Sequence, residues 1–492
     1  MGLAMPNLNL LMSIGTFLLL IFWLFYPGIK IGIKNLKQNR VALLLIGLLV
    51  IHLLWMLNTQ NFDYAFKDIR IKAPLLVFGV VLGSVSFSKK QLKYFFLSLS
   101  IGIWIACSVA YYNYFKADLG VFDHRDIVTG ISHIRLSLLM VALVIGIVNF
   151  WKDFSQVMKV YYAVVFINVF LFFQVLQSLT GVLTLGVILM LSFFVFLYKR
   201  FGKRTVWITG GILIIAAVAG GVLLINSYKS YFTPIESINE LEPETVNGND
   251  YYHQKDVRLV ENGHYIFMNI CEPEMVRAWN QRSDEKLAVQ DGHNDLRDRL
   301  IRYLTSKGLK KDSLGVMRLT EQDIQYIESG YPAEVYTGKS GLPLRIHSFL
   351  FAFHVYSNTG YASGYSFFQR FVYWQVALKI IKENFILGVG TGDVKDAFQK
   401  IYAQGYYDLN EKYWLRAHNQ FLTFFVAFGV FGLAYFVYFF AESFRCNRYS
   451  FLASAITLLA LLSCLTEDTL ETQAGVAFFG FFLALFTERE GY

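Results

Sequence analysis

Eleven apolar runs, each about as long as the hydrocarbon core of a bilayer is thick, constrain this chain more than any other feature. A helix needs about 17–25 apolar residues to cross that core. Hydrophobic residues make up 55% of the 492 residues and charged residues only 16%, whereas soluble domains are about 25% charged. The runs lie at 9–27, 41–57, 73–88, 94–114, 132–150, 160–177, 181–199, 205–227, 419–440, 450–466 and 472–487. The sequence therefore predicts an all-α polytopic membrane protein with about 11, or at most 12, transmembrane helices.

A polar stretch at 228–418 separates the eighth run from the ninth and carries most of the acidic residues. It contains no apolar run that is long enough to span a bilayer. Leucines with helical spacing at 293–307 indicate that the stretch is helical there. We therefore predict an N-terminal bundle of about eight helices at 1–227, a large and mostly helical loop or lid at 228–418, and three C-terminal helices at 419–492.

The basic residues of the short loops predict the orientation of the chain. Loops on one side hold 16 Lys and Arg residues and those on the other side hold 6, and the richer side of a membrane protein faces the cytoplasm. The polar stretch then faces the periplasm or the cell exterior, and the C-terminus lies in the cytoplasm. The excess of basic over acidic residues therefore reflects the membrane topology, and we expect no nucleic-acid partner. Because nucleotides are scarce outside the cytoplasm, a transferred group must come from a donor that carries its own activation.

Two further patterns bear on cofactors. The segment GVGTGD at 388–393 fits neither the dinucleotide nor the P-loop spacing. It is typical of a turn before a helix that Asp393 caps and Gly405 ends, and a phosphate cradle around Gly390 is the alternative. The nine His residues form no metal-binding motif, so no metal or cofactor is expected, and His347 and His354 are interpreted as packing or surface residues.

Arg370 is the first candidate for chemistry on the outer side. It follows Ser366 and Gln369, whose spacing fits a capping box at the start of a helix that runs to about Asn384. A cation is disfavoured in the first turn of a helix, and a basic residue beside exposed N–H groups indicates an anion site. The alternative is a surface salt bridge to an acid of a loop.

His418 is the second candidate, in the sequence RAHNQ at 416–420 where the polar stretch meets the ninth run. A neutral imidazole can act as a base near neutral pH, and a hydrogen-bonded anchor at the interface is the alternative. Arg416 lies two residues away and would point to another face of a helix. Arg416 and His418 therefore converge only if the segment is not helical.

Arg135 is the third candidate, at the outer end of the fifth run. Ionisable residues inside membrane spans usually face the interior of the bundle and mark function, and snorkelling to the headgroups is the alternative. Three acids between the last two runs, Glu467, Asp468 and Glu471, lie at the same depth and are candidate partners of these arginines. An arginine cluster with one imidazole suits a lipid-linked diphosphate, since arginine binds its oxygens in a bidentate manner and stabilises the leaving group.

Three motifs resemble the O-antigen ligase family, and in particular its Bacteroidetes-type members. They are GVGTGD, RAHNQFL before an apolar run, and TEDTLETQAG before the last run. The resemblance covers the chain from about the fourth run to the end. It implies an inverting, metal-independent glycosyltransferase that moves a glycan from undecaprenyl diphosphate to a hydroxyl acceptor, commonly lipid A–core.

The resemblance also implies roles for individual residues. The family histidine falls on His418, as the base, and the family arginine before the Gly-rich turn falls on Arg370, which would bind the diphosphate. A second family arginine is missing, because its place reads Ser-Leu-Thr-Gly at 178–181. We expect Arg135 or Arg416 to substitute. The supporting candidates are Asn419, Glu467, Asp468, Gly390 and Asp393.

The acceptor stays open at this point. The family includes polysaccharide polymerases and protein O-oligosaccharyltransferases, so lipid A–core, another glycan or a protein could accept the sugar. A transporter or flippase for a lipid-linked saccharide is the alternative outside the enzymes. It would need charged residues along a path through the middle of the membrane, and the sequence contains no such chain of residues.

Overall fold

The structure is a computed structural model that describes residues 1–25, 28–116, 127–176, 178–287, 295–337 and 342–486. It is mostly helical, with one two-stranded sheet in the described residues. Arg125 and Arg489, two of the basic residues used to predict orientation, lie outside the described residues. The predicted all-α class is confirmed in this coarse form.

The helices occupy the apolar runs and parts of the polar stretch. They are α1 Asn9–Leu24, α2 Ile29–Gln38, α3 Arg40–Leu54, α4 Phe62–Lys72, α5 Pro74–Ser84, α6 Lys89–Lys116, α7 His133–Phe150, α8 Gln156–Leu176, α9 Leu179–Phe201, α10 Lys203–Phe232, α11 Glu272–Arg282, α12 Asp295–Ser306, α13 Ser313–Met317, α14 Glu321–Glu328, α15 Leu342–Thr359, α16 Ser366–Glu383, α17 Val394–Tyr402, α18 Gln420–Asn447, α19 Phe451–Thr466 and α20 Gln473–Phe486. Strands β1 Val260–Glu261 and β2 His264–Tyr265 pair antiparallel.

Seven described helical segments are long and apolar enough to cross a membrane, and α1 with α2 would be an eighth if they form one bent span. The seven are Arg40–Asn58, Lys89–Lys116, His133–Asp153, Gln156–Leu176, Thr180–Phe201, Lys203–Phe232 and Gln420–Asn447. Helices α5, α19 and α20 have 11, 16 and 14 residues, which at 1.5 Å per residue is short for a core of about 30 Å. The count of eleven spans therefore stays a prediction.

Two compact units divide the chain. The first holds the described parts of 1–114, 125–193 and 369–492, and the second holds those of 115–124 and 194–368. In the first unit α20 packs against α5, and α3 packs against both α5 and α18. The predicted boundaries at 227 and 418 concern which residues lie in the membrane, and they stay predictions.

Helix α18 is interrupted at Gly429, where φ is 62° and ψ is −157°. The break frees carbonyl groups inside the helix, and the chain before α17 uses them. Val389 N–H donates to the Val426 carbonyl at 2.9 Å, and Val430 N–H donates to the Phe385 carbonyl at 3.0 Å. A side chain at Gly429 would collide with the Ile386 backbone, so the sequence needs glycine there. This junction fixes the 385–390 segment onto the N-terminal half of α18.

The second unit has its own core, in which α12 buries its leucine face and packs against α14. This confirms the helical spacing predicted at 293–307 for the residues described. His354 joins the core, since its ring accepts from Val260 N–H at 3.0 Å and pairs with the Tyr228 hydroxyl at 2.9 Å. His347 is also buried, 3.2 Å from the Tyr336 hydroxyl. Both histidines are therefore packing residues.

Candidate active site

The site is built on the short connection between α19 and α20. Helix α19 ends at Thr466, and a 3-10 turn at Thr469–Glu471 precedes α20. The non-helical segment before α18 lies against this connection, and Asn419 caps α18 by accepting from Phe421 N–H at 3.0 Å. The chain at Arg416 and His418 is not helical, which is the condition under which the two were expected to converge.

Glu467 connects the two strongest candidates. One of its carboxylate oxygens is 3.2 Å from His418 Nδ1, and the other is 2.7 Å from an Nη atom of Arg370. The Glu467 side chain is 9% exposed, whereas those of His418 and Arg370 are 31% and 26% exposed. A buried acid thus holds an imidazole and a guanidinium that both reach solvent. The Glu467–Arg370 pair is also the loop-acid contact that was the alternative interpretation of Arg370.

The backbone of His418 has a φ of 47°, in the left-handed region that few residues other than glycine adopt. Asp468 holds this conformation. Its carboxylate accepts from His418 N–H at 2.9 Å, from Asn419 N–H at 3.2 Å and from the Thr423 hydroxyl at 2.6 Å. Such strain costs on the order of 1–3 kcal/mol and persists only where the surroundings impose it. Asp468 therefore fixes the direction in which the imidazole points.

The charges around His418 favour its protonated form. Burial alone would lower the pKa of the imidazole, but the hydrogen bond to Glu467 and the charges of Asp468 and Glu467 outweigh it, and the pKa is raised. Burial would raise the pKa of Glu467, but the contacts with His418 and the charges of Arg370 and Arg135 lower it. Burial raises the pKa of Asp468. The His418 imidazole is thus a stronger base than a free one.

Helix α16 supports the imidazole from the other side. The Tyr373 ring stacks on the His418 ring with 5.5 Å between centroids, and the Trp374 indole donates to the Ala417 carbonyl at 3.0 Å. Sequence reasoning missed both roles, although the two residues lie only three and four positions after Arg370. Within the described residues, the Tyr373 hydroxyl and the Gln369 amide nitrogen are buried without a hydrogen-bond partner.

Arg416 turns away from His418 into a buried ionic network. Its guanidinium pairs with Glu471 and with the Tyr64 hydroxyl. Lys72, which is fully buried, lies 3.2 Å from Glu471 and 2.5 Å from Asp68. Burial would lower the pKa of Lys72, but the charges of Asp68 and Glu471 raise it. The network ties α4 to the turn before α20, and sequence reasoning did not find Lys72, Asp68 or Tyr64.

Arg135 approaches the same turn from α7 and is buried. It donates to the Ser463 hydroxyl at 3.3 Å, the Thr469 hydroxyl at 3.4 Å and the Asp468 carbonyl at 3.4 Å. These buried contacts argue against the alternative interpretation, in which Arg135 snorkels to the lipid headgroups. The three predicted arginines therefore meet one segment, 467–471, but only Arg370 lies beside His418.

The glycine-rich turn lies apart from this centre. Gly390 N–H donates to the Ala427 carbonyl at 2.9 Å and Gly392 N–H donates to the Thr59 hydroxyl at 2.8 Å. These amides are occupied within the protein, which favours the structural turn over the phosphate cradle. Asp393 precedes α17 but its side chain does not cap it. Its carboxylate instead accepts from Gln60 N–H at 2.8 Å and Asn61 N–H at 2.9 Å, so the predicted cap is wrong.

The arrangement can take up and hold a proton. In the part of the chain that the structure describes, His418 Nε2 has no partner, while Nδ1 is held by Glu467. An imidazole held in this way presents the second nitrogen to a hydroxyl group. Among the same residues, no group of three His, Cys, Asp or Glu could hold a metal ion.

The comparisons with known proteins concern the segment that contains Arg370 and His418. Residues 340–437 match the family model described as O-antigen ligase. The match supports assignment to the O-antigen ligase family and confirms that resemblance, and it supports a membrane glycosyltransferase of the ligase or polymerase type. No protein of curated function matches the chain.

Proposed function

We propose that the chain is an inverting, metal-independent glycosyltransferase that moves a glycan from undecaprenyl diphosphate to an acceptor in the outer leaflet. Lipid A–core is the acceptor we favour, and the reaction takes place on the periplasmic face of the inner membrane. The match of 340–437 to the O-antigen ligase model supports the class of reaction. The observation that carries the proposal is the Glu467 carboxylate, which joins an accessible imidazole to an accessible guanidinium.

The reaction uses His418 as the base. The acceptor hydroxyl gives its proton to Nε2 while its oxygen attacks the anomeric carbon of the donor sugar. The bond from that carbon to the phosphate oxygen breaks on the opposite face, so the configuration inverts and undecaprenyl diphosphate leaves with the electron pair. Glu467 stabilises the imidazolium that forms, a role comparable to that of the acid in a catalytic triad.

Arg370 stabilises the leaving diphosphate. Its contact with Glu467 uses one Nη atom, and within the described chain the other nitrogens have no partner. Those nitrogens can donate to phosphate oxygens as negative charge develops. Arg135 and Arg416 were expected at the diphosphate as well. Their contacts within the protein favour a supporting role, in which they hold the acidic turn beneath His418.

Replacement of His418 by Ala tests the enzyme. A general base contributes about 10²–10⁴ in rate, so glycan attachment should fall by at least about 10² while the protein still inserts into the membrane. Silver-stained glycolipid from a deletion strain complemented with each variant measures attachment, and an immunoblot of the membrane fraction measures insertion. Replacement of His253, on the second unit, by Ala is the control. Glycan attachment at the wild-type level in the His418→Ala variant would exclude His418 as the base.

The same gel separates the alternatives within the family. A ligase deletion removes all attached polymer while lipid-linked chains stay long, and a polymerase deletion leaves attachment limited to one repeat. Glycan found on protein instead of glycolipid would indicate a protein O-oligosaccharyltransferase. A transporter would move donor across a reconstituted membrane without forming a covalent product.

A further inference from the structure

A cleft of about 880 Å³ lies on the first unit, apart from the residues of the proposed reaction. Its walls are the segment between α3 and α4 and the segment that runs from the end of α16 into α17. Its volume is within the range of about 300–1,000 Å³ that small-molecule sites occupy. The residues that matter for the argument are Gln60, Phe62, Asp63, Glu383, Asp396 and Lys400.

The two walls are locked together by hydrogen bonds within the protein. Asp393 accepts from the Gln60 and Asn61 amides, the Asn61 side chain donates to Asp396 at 2.8 Å, and the Asn58 side chain donates to the Gly388 carbonyl at 3.1 Å. A cleft that is fixed before binding loses little entropy when a ligand enters. The GVGTGD turn, which the proposed reaction does not use, is thus part of a rigid wall.

The polar groups at the mouth of the cleft are available to a ligand. Asp63 and Glu383 are exposed, and within the described chain neither makes a hydrogen bond or ion pair. The Phe62 ring beside them is 51% exposed. Carboxylate and amide oxygens accept hydrogen bonds from hydroxyl groups, and an exposed aromatic ring offers an apolar face to the C–H groups of a sugar ring.

The charge of the lining excludes the most obvious other ligands. Four carboxylates and one ammonium group line the cleft, so a diphosphate would be repelled. A divalent cation is disfavoured as well, because no three ligating groups come together in the described residues. An uncharged, hydroxyl-rich ligand fits this surface better than either.

The position of the cleft indicates that its ligand is attached to the membrane. Arg40 and Glu442 pair at 3.1 Å, which places one end of α3 beside the last turns of α18. The opposite end of α3 therefore lies on the same side as His418. There the side chains of Leu57 and Ile386 are 91% and 62% exposed, an apolar rim beside a polar cleft, as expected at a lipid–water boundary. Tyr64, the residue after Asp63 in α4, pairs with Arg416, which precedes His418 by two residues.

We infer that this cleft binds an uncharged saccharide portion of a membrane-anchored glycan and holds it near His418. The inference rests on the proposed function for the identity of the substrates. The saccharide could belong to the acceptor or to the donor, and the chemistry of recognition is the same for both.

Equilibrium binding to the full chain in nanodiscs tests the cleft without any turnover. The probes are the core oligosaccharide released from host lipopolysaccharide and the oligosaccharide released from the lipid-linked donor. The wild type and His418→Ala should bind at least one of them. The double variant Asp63→Ala/Glu383→Ala should bind that probe about tenfold more weakly, because it loses two hydrogen-bond acceptors. The identity of the affected probe decides between acceptor and donor.

Asp408→Ala/Glu411→Ala is the matched control, since both acids are exposed on the same unit and lie outside the cleft. It should bind like the wild type. Equal binding by the cleft variant and the wild type, or no binding of either oligosaccharide by the wild type, would overturn the inference. Failure of the proposed function would give a different result. Cells with the wild-type protein would then attach no glycan, although the same protein in nanodiscs still binds the oligosaccharide.

Discussion

The two halves of the segment between α19 and α20 use the same residue types for different purposes. Glu467, in the first half, faces His418 and Arg370, whose side chains are both about a quarter to a third exposed. Glu471, in the second half, faces Lys72 and Arg416, and the Lys72 side chain is fully buried. Only four residues separate the two glutamates, and each accepts from two cationic partners.

Accessibility distinguishes the two halves. In the first half both cations keep nitrogen atoms that a substrate can reach. In the second half the buried Lys72 pairs with both Asp68 and Glu471, and Glu471 also accepts from the Gln420 amide at 3.1 Å. A buried ion pair contributes little net stability but is costly to break. We conclude that the second half imposes the shape of the turn and that the first half uses this shape to aim the imidazole.

Replacement of Lys72 by Met should have the largest effect on stability. It removes the cation that pairs with the buried Asp68 and leaves Glu471 with Arg416 as its remaining ion-pair partner among the described residues, which costs about 3–5 kcal/mol. Thermal unfolding in detergent should show the loss. Replacement of Lys67, an exposed lysine on the same helix, by Met is the control and should leave the midpoint unchanged. A Lys72→Met protein as stable as the wild type would show that the ion pairs of the second half do not hold the turn.

Replacement of Arg370 by Ala should act on the substrate and leave the fold intact. Loss of charged hydrogen bonds worth about 1.5–3 kcal/mol corresponds to about 10–150-fold weaker use of the donor. Arg370→Lys should rescue poorly if the guanidinium binds the phosphates in a bidentate manner. Steady-state kinetics with purified donor and acceptor measure both variants. Full rescue by Lys would contradict the bidentate contact and leave only a requirement for charge.

Replacement of Glu467 by Gln should shift the pH dependence of transfer. The base must be unprotonated, so activity rises as the pH increases through the pKa of His418. Glu467 holds that pKa above its ordinary value of about 6.5. Without its charge, and with Arg370 still nearby, the pKa of His418 falls and the rising limb should move to lower pH. A pH–rate profile of kcat/KM measures this shift. If the rising limb does not move, Glu467 does not set the pKa of the base.

Sequence reasoning reached the first half of the turn more fully than the second. His418 and Glu467 lie next to apolar runs, so helix length predicts their depth in the membrane. Arg370 was found from the capping pattern of Ser366 and Gln369. Lys72 and Glu471 are 399 residues apart, and no local pattern indicates that pair. The break at Gly429 was also missed, because the run at 419–440 stays apolar through it. Asp393 was predicted as a helix cap because its contact with Gln60 is equally remote.

The smallest expected effect concerns the strain that the first half maintains at His418. With φ at 47°, any residue other than glycine pays a conformational cost at this position, and glycine does not. His418→Gly and His418→Ala should therefore be equally inactive, yet the glycine variant should be more stable by about 1 kcal/mol. Reversible unfolding of the two variants under the same conditions measures the difference, and comparing them cancels the loss of the imidazole contacts. If the variants are equally stable, the backbone at this position is relaxed in the folded protein and Asp468 does not impose the aim of the base.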